Sequence, residues 1–139
     1  MRIHEDLKGK KILIVEDEEP VRLICAKILV SSGFDSILVG NGEEGLDAYR
    51  EHLSGIILVL TDVSMPVKGG LEMMGEIMEL KPDVKAILMS GYCLDVVIPR
   101  HFQARFSLLQ KPFTAAALVE AVTKCVTQDR AQLAWLGSA

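Results

Sequence analysis

Cysteine is scarce in this chain of 139 residues. The three cysteines are Cys25, Cys93 and Cys125, and no pair of them has the spacing of a metal site or a redox motif. An odd, scattered set does not form a disulfide framework, so we interpret them as small buried hydrophobic residues in a reducing cytoplasm. The three histidines are isolated from one another in sequence, which argues against a histidine metal site.

An excess of positive charge and long apolar runs are also missing. The net charge is −4, which argues against direct nucleic-acid binding. The first eight residues lack the apolar core of a secretory signal, and the longest strongly apolar run, residues 56–60, is too short to cross a bilayer. These features predict a protein without membrane or nucleic-acid contact. Half of the residues are hydrophobic, which suits one core in a chain of single-domain size.

Strand and helix patterns alternate five times along the chain. Apolar runs predict strands at 11–15, 36–39, 56–61, 84–89 and 106–110. Helical spacing of apolar residues follows the first strand and predicts a buried helix face, formed by Val21, Ile24, Cys25, Ile28 and Leu29. Five such units imply an α/β fold, with a parallel sheet and helices on both of its faces.

The remaining helix signals differ in strength. A short second helix is predicted to bury Leu46, Tyr49 and Leu53, and Thr114 is a good N-cap for the last helix. The fourth helix, at roughly 94–103, has the weakest pattern because Pro99 interrupts it. We predict an N-terminal extension over 1–8, one domain over 9–127, and a C-terminal extension or linker over 128–139.

Polar residues stand where four predicted strands end. Asp17 follows the first strand, Asp62 ends the third, Ser90 ends the fourth and Lys111 follows the fifth. The carboxyl ends of parallel strands share one edge, where open α/β sheets bind their ligands. We therefore expect these four side chains to converge.

Carboxylates crowded at this edge favour a divalent cation. The first strand leads into the acidic run Glu16, Asp17, Glu18 and Glu19, and two carboxylates about 4 Å apart repel by roughly 4 kcal/mol at an effective dielectric near 20. Oxygen ligands without sulfur or imidazole favour Mg²⁺ or Mn²⁺. A lysine and a hydroxyl beside such a metal bind phosphoryl oxygens, and a central carboxylate can act as the nucleophile.

Each of these features has an ordinary structural reading when taken alone. The acidic run could be a solvated segment that favours a helix N-terminus, and Asp62 could cap the following loop. Because the polar residues occur in order at the ends of four separate strands, coincidence is the weaker interpretation.

The ordered motifs resemble the receiver domain of two-component response regulators. The motifs that carry the resemblance lie at residues 14–22, 41–45, 60–66 with 69–70, 87–92 and 109–113. The segments 89–92 and 109–114 are similar to receivers of hybrid sensor histidine kinases. The resemblance implies a flavodoxin-like (βα)5 fold with strand order 2-1-3-4-5.

The resemblance also implies a role for each site residue. Asp62 would accept a phosphoryl group from the phosphohistidine of a histidine kinase or phosphotransfer domain. Mg²⁺ would be held by Asp17, Asp62 and the backbone carbonyl of Ser64, with Glu16 acting through water. Ser90 and Lys111 would bind the phosphoryl oxygens.

The same resemblance implies a cis Lys111–Pro112 peptide bond and a partner surface. Phosphorylation adds charge and acceptor oxygens, and the shift is expected to reach the face of the fourth helix, fifth strand and fifth helix. That face would also serve a possible homodimer.

The chain departs from the family pattern at the position of the switch aromatic, which is Leu108. Phe106 lies two residues earlier on the same strand face and is an alternative for that role. Ser64 and Tyr92 stand at the positions expected to set the lifetime of the phosphorylated state. Our hypothesis is that the Tyr92 ring covers the phosphoryl group and slows attack by water.

Three other functions compete with a phosphoacceptor module. A receiver-like interaction domain independent of phosphorylation is the main alternative. An aspartyl phosphatase needs a second aspartate two residues after Asp62, where this chain has Ser64. A flavin carrier needs a phosphate-binding loop after the first strand, which is absent from the sequence. We therefore do not expect an enzyme, beyond assistance to its own phosphorylation and dephosphorylation.

Overall fold

A computed structural model describes residues 9–91 and 98–127, and all structural statements concern these residues. The strands are β1 (Lys11–Val15), β2 (Asp35–Val39), β3 (Ile56–Asp62), β4 (Ala86–Ser90) and β5 (Ser107–Gln110). The helices are α1 (Glu19–Ser31), α2 (Gly42–Glu51), α3 (Gly70–Leu80), α4 (Arg100–Arg105) and α5 (Ala115–Thr127). The alternation predicted from the sequence is therefore confirmed.

The five strands form one parallel sheet in the order β2-β1-β3-β4-β5. This is the flavodoxin-like order that the resemblance implied. Val15 pairs with Thr61, Asp62 with Met89, and Ser90 with Gln110. This register brings the carboxyl ends of β1, β3, β4 and β5 to the same edge.

The sheet is covered on both faces. In β1, Leu13 and Val15 face the core beneath α2, α3 and α4, while Ile12 and Ile14 face the core beneath α1 and α5. Successive residues of a strand point to opposite faces. A central parallel strand therefore needs a continuous apolar run, and all four of these β1 residues are fully buried.

Side-chain caps fix the starts of two helices near this edge. The Asn41 side chain accepts a hydrogen bond from the backbone N–H of Glu44 at 2.9 Å, and the Glu44 carboxylate accepts one from Gly40 at 2.8 Å. The hydroxyl of Thr114 accepts a hydrogen bond from the N–H of Ala117 at 3.0 Å, which confirms the predicted N-cap of α5. Each cap satisfies a backbone donor left free by the first turn.

Several expectations about individual residues were wrong. Ile24 is 58% exposed, because it lies at the margin of the apolar stripe of α1 rather than at its centre. Leu53 is 41% exposed, because α2 ends at Glu51 and Leu53 lies in the turn that follows. α4 begins after Pro99, which is its N-cap rather than an interior residue; proline lacks the N–H that a helix interior needs. The part of the predicted fourth helix over 94–97 lies outside the described residues. No described helix is long and apolar enough to cross a membrane.

Gly70, the first residue of α3, packs against the strand that carries Asp62. A Cβ built on Gly70 would collide with the backbone carbonyl oxygen of Asp62 and would lie 3.1 Å from the Thr61 hydroxyl. The obstacle is backbone, which cannot move aside like the tip of a flexible side chain. The glycine therefore allows α3 to start directly beside the end of β3.

We predict opposite effects for two glycine substitutions in α3. Gly70→Ala should lower the free energy of unfolding by about 2 kcal/mol, because the added methyl group overpacks the contact with Asp62. Gly75→Ala should raise it by up to about 1 kcal/mol, because alanine favours the helix and a Cβ at Gly75 meets nothing within 4 Å. Urea denaturation measures both. A Gly70→Ala variant as stable as Gly75→Ala would contradict this packing.

Candidate functional site

The ammonium group of Lys111 lies between two carboxylates at the carboxyl edge of the sheet. Its Nζ is 2.5 Å from Oε1 of Glu16 and 3.0 Å from Oδ2 of Asp62. The Glu16 side chain is fully buried, and those of Asp62 and Lys111 are 13% and 22% exposed. Residues that follow β1 and β5 thus meet the residue that ends β3, and Asp62 and Lys111, two of the four residues expected to converge, are in contact.

Asp17 completes an acidic cluster with Glu16 and Asp62. One carboxylate oxygen from each of the three lies within 4.8 Å of the others. Asp17 is exposed, while Glu16 is buried, so the cluster opens toward solvent at one side. Three carboxylate oxygens at this spacing suit a hard divalent cation such as Mg²⁺. The residues present therefore fit the metal implied by the sequence.

Burial and hydrogen bonding shift the pKa values of Glu16 and Lys111 in this cluster. Burial raises the pKa of Glu16 to about 7, although the hydrogen bond from Lys111 acts in the opposite direction. Burial lowers the pKa of Lys111, but the hydrogen bonds to Glu16 and Asp62 outweigh it, so the net shift is upward. The lysine therefore stays charged among the carboxylates, where it partly offsets their mutual repulsion.

The loop after β1 is held in place by backbone contacts. The N–H of Glu16 donates to the carbonyl of Val39 at 3.1 Å, and the guanidinium of Arg22 donates to the carbonyl of Glu16 at 2.8 Å. The N–H of Glu18 donates to the Glu16 carboxylate at 3.2 Å. These contacts fix the acidic residues relative to β2 and α1.

Ser64 and Ser90 lie near the cluster in different ways. The N–H of Ser64 donates to Oδ1 of Asp62 at 3.3 Å, so the loop after β3 folds back over the acidic group. Ser90 ends β4, and its carbonyl accepts a hydrogen bond from the N–H of Lys111 at 2.7 Å. The Lys111–Pro112 peptide bond is cis, as the resemblance implied.

A groove of about 680 Å³ opens beside the acidic cluster. Asp17, Asp62, Ser64 and Lys111 lie at its polar end. Its apolar walls come from the start of α1 and from the segment after β5, and the residues are Pro20, Val21, Ile24, Pro112 and Phe113. The helical spacing predicted that Ile24 would lie in the core, and this prediction was wrong. The spacing alone could not reveal this, because the apolar stripe of α1 is wider than the face that α1 buries.

The two candidates for the aromatic switch lie in different environments. Leu108 is 48% exposed and pairs with Leu88 in the sheet. Phe106 is 5% exposed and stacks on Phe102, with ring centroids 5.9 Å apart. Phe106 precedes β5 and belongs to the core of α2, α3 and α4, so it stands at the end of the sheet opposite to Asp62. Tyr92 lies outside the described residues, and its role stays a prediction.

Comparison with known proteins shows the family to which the chain belongs. The family model described as the response regulator receiver domain matches residues 12–123. The chain belongs to the response regulator receiver family. The match includes Glu16, Asp17, Asp62, Ser90 and Lys111.

Individual receivers resemble the chain over most of its length. It is 34% identical to part of the sensor kinase CckA of Brucella abortus, covering 89% of this chain but 13% of the kinase. It is 29% identical to the chemotaxis protein CheY of Thermotoga maritima, covering 84% of this chain and 97% of CheY. A receiver domain protein from Clostridium thermocellum superposes with a TM-score of 0.77 at 29% identity, covering 84% of this chain and 94% of that one.

We predict that the acidic cluster makes magnesium a stabilising ligand. With free Mg²⁺ at about ten times its Kd, the free energy of unfolding should rise by about 1.4 kcal/mol. Asp17→Asn should be more stable than the wild type without metal, because it removes one carboxylate from a repelling group. The same variant should lose most of the gain from Mg²⁺. Urea denaturation with and without Mg²⁺ measures both effects.

Asp47→Asn is the matched control, since Asp47 is an exposed carboxylate on α2 outside the acidic cluster. It should respond to magnesium like the wild type. Equal magnesium responses in Asp17→Asn and Asp47→Asn would contradict a metal site at the cluster.

Proposed function

We propose that this receiver is a phosphoacceptor module of a two-component phosphorelay, with Asp62 as the phosphorylated residue. The observation that carries the proposal is the contact of Lys111 with both Glu16 and Asp62. That contact places a cation beside a carboxylate that lines a solvent-open groove. A purely structural carboxylate has no need of an open approach.

The transfer follows from the chemistry of Asp62. A carboxylate oxygen of Asp62 attacks the phosphorus of a partner's phosphohistidine, a P–O bond forms, and the P–N bond breaks with its electron pair left on the imidazole. Lys111 neutralises negative charge on the transferred phosphoryl group, and Ser90 at the end of β4 donates a hydrogen bond to it. Positioning and charge neutralisation are the main contributions of a protein to phosphoryl transfer.

The metal would be held by Asp17, Asp62 and the backbone carbonyl of Ser64, with Glu16 acting through water. When bound, Mg²⁺ or Mn²⁺ supplies positive charge to carboxylate and phosphoryl oxygens. The Ser64 N–H bond to Asp62 supports this arrangement, since it holds the loop carbonyls close to the cluster.

The partner would be a histidine kinase or a phosphotransfer domain that docks over the groove. A phosphohistidine must come within bonding distance of Asp62, so its carrier has to contact the groove walls. Ile24 is 58% exposed and extends the apolar wall of the groove onto α1. Specific interfaces have an apolar core and a polar rim, and the exposed Ile24 side chain would contribute to such a core.

The output would use the face of α4, β5 and α5. Leu108 is 48% exposed on β5, which is an edge strand of the sheet formed by the described residues. That face could also support a homodimer. The likeness to part of CckA, a hybrid histidine kinase, supports a role within a hybrid kinase pathway. The free thiols Cys25 and Cys125 suit a reducing cytoplasm.

We propose that the domain spans 9–127, with extensions at both ends, and that it turns over no separate substrate. The alternative is a receiver-like interaction domain that works without phosphorylation. The complete acidic cluster and the Lys111 contacts favour the phosphoacceptor role, because an interaction domain would gain nothing from crowding three carboxylates.

We predict that Asp62→Asn abolishes phosphorylation. Incubation with acetyl phosphate and Mg²⁺ should add the mass of one phosphoryl group to the wild type and none to Asp62→Asn, because the amide is a poor nucleophile. Intact-protein mass spectrometry measures the change. Asp47→Asn serves as the control and should be phosphorylated normally. An Asp62→Asn variant that still gains a phosphoryl group would remove Asp62 from this role.

We also predict that a substitution at Ile24 weakens partner docking and leaves the phosphorylation chemistry unchanged. Ile24→Lys should be phosphorylated by acetyl phosphate at the wild-type rate, because Ile24 does not belong to the acidic cluster. Transfer from a phosphorylated histidine-containing protein should slow by about tenfold, which corresponds to ~1.4 kcal/mol of lost docking free energy.

Val30→Lys is the matched control for Ile24→Lys. Val30 is 56% exposed on the same helix and does not line the groove. Its transfer rate should equal that of the wild type with either donor. Equal slowing of both variants with the protein donor would argue against docking at the groove.

A further inference from the structure

Val67 has a backbone conformation that valine rarely adopts. Its φ is +70°, and it is the only described non-glycine residue with positive φ. The N–H of Lys68 donates to the carbonyl of Pro66 at 2.8 Å, which closes a γ-turn of the positive-φ, strained form around Val67. A β-branched residue in this region is a true outlier.

Packing of the Val67 side chain does not offset this strain. It is 75% exposed, the highest fraction among the exposed large hydrophobic residues described. Strained residues persist where the surrounding structure over-determines them, and they cluster at functional sites. The cause of the turn must therefore lie in its neighbours.

Lys68, the residue that follows the turn, is held in place by two contacts. Its ammonium group forms an ion pair with the carboxylate of Glu76, one to two turns into α3. Its carbonyl accepts a hydrogen bond from the N–H of Gly42 at 2.9 Å, at the start of α2. A Cβ at Gly42 would lie 2.5 Å from this carbonyl, so the close approach requires glycine. Lys68 thus joins the loop to two helices.

The other end of the same loop is the acidic cluster. The loop runs from Asp62 to Gly70, and the N–H of Gly70 donates to the carbonyl of Val63 at 3.0 Å. Both ends are therefore fixed, and a change at Val67 must be taken up by the residues between them. Ser64, whose N–H bonds to Asp62, is one of those residues.

We infer that the Lys68–Glu76 ion pair is a positioning latch that holds the strained turn at Val67 and thereby holds Ser64 beside the acidic cluster. The inference rests on the metal site proposed above. Without the ion pair, the turn relaxes toward negative φ and the Ser64 carbonyl moves away from the position in which it serves the metal. Lys68 and Glu76 are positioning residues and touch neither metal nor phosphoryl group.

The test compares magnesium affinity in variants of the whole chain by isothermal titration calorimetry. Glu76→Gln should raise the Kd for Mg²⁺ by about tenfold, the low end of the loss seen when partners of metal ligands are removed. Val67→Gly should bind like the wild type, since glycine adopts positive φ without strain. Val67→Gly combined with Glu76→Gln should recover most of the lost affinity, because no strain then drives the loop away.

Glu79→Gln, an exposed carboxylate on the same helix, is the matched control and should leave the Kd unchanged. A second readout needs no metal: the intraresidue amide-to-Hα NOE of Val67, which is strong at positive φ, should weaken in Glu76→Gln. Unchanged affinity in Glu76→Gln, or no recovery in the double variant, would overturn the latch. If the wild type binds no Mg²⁺, the proposed metal site fails, and an unchanged NOE in Glu76→Gln then overturns the latch as well.

Discussion

The contact of one ammonium group with two carboxylates is the constraint around which the site is built. Lys111 enters from the end of β5 and meets Glu16 after β1 and Asp62 at the end of β3. Without a cation in this position, the carboxylates would repel at short range in a partly buried environment. The lysine lowers that repulsion but does not use all of the carboxylate oxygens, so the cluster keeps room for a divalent metal and for an incoming phosphoryl group.

The rest of the fold supplies rigidity to this contact. An apolar core packs on each face of the central strands. Gly70 allows α3 to begin directly against the backbone of Asp62. Tight packing of this kind transmits small displacements instead of absorbing them. The β3–α3 loop differs from these packed elements, since it carries the strained and exposed turn at Val67. We infer that the contacts of Lys68 with α2 and α3 help to hold that loop in place.

The sequence was sufficient to predict the sheet and the residues at its edge. Buried parallel strands need continuous apolar runs, and a polar residue that ends such a run stands out, as Asp62 does. It was not sufficient for Ile24, because periodicity marks the apolar face of a helix but not how much of that face is covered. It was not sufficient for Leu53, because the periodic pattern does not show that α2 ends at Glu51. The turn at Val67 was also beyond it, since a valine gives no local signal for positive φ. Contacts across 95 residues, such as Lys111 to Glu16, depend on the register of the whole sheet.

The central claim is that the carboxylate of Asp62 itself becomes the acyl phosphate. Borohydride reduction of the phosphorylated protein, followed by peptide mass mapping, tests it directly, because reduction converts an aspartyl phosphate into homoserine. We expect homoserine at position 62 and at no other position. Homoserine at Asp17 or another aspartate, 5-hydroxynorvaline at Glu16 or another glutamate, or phosphate retained on serine or histidine after reduction, would contradict it.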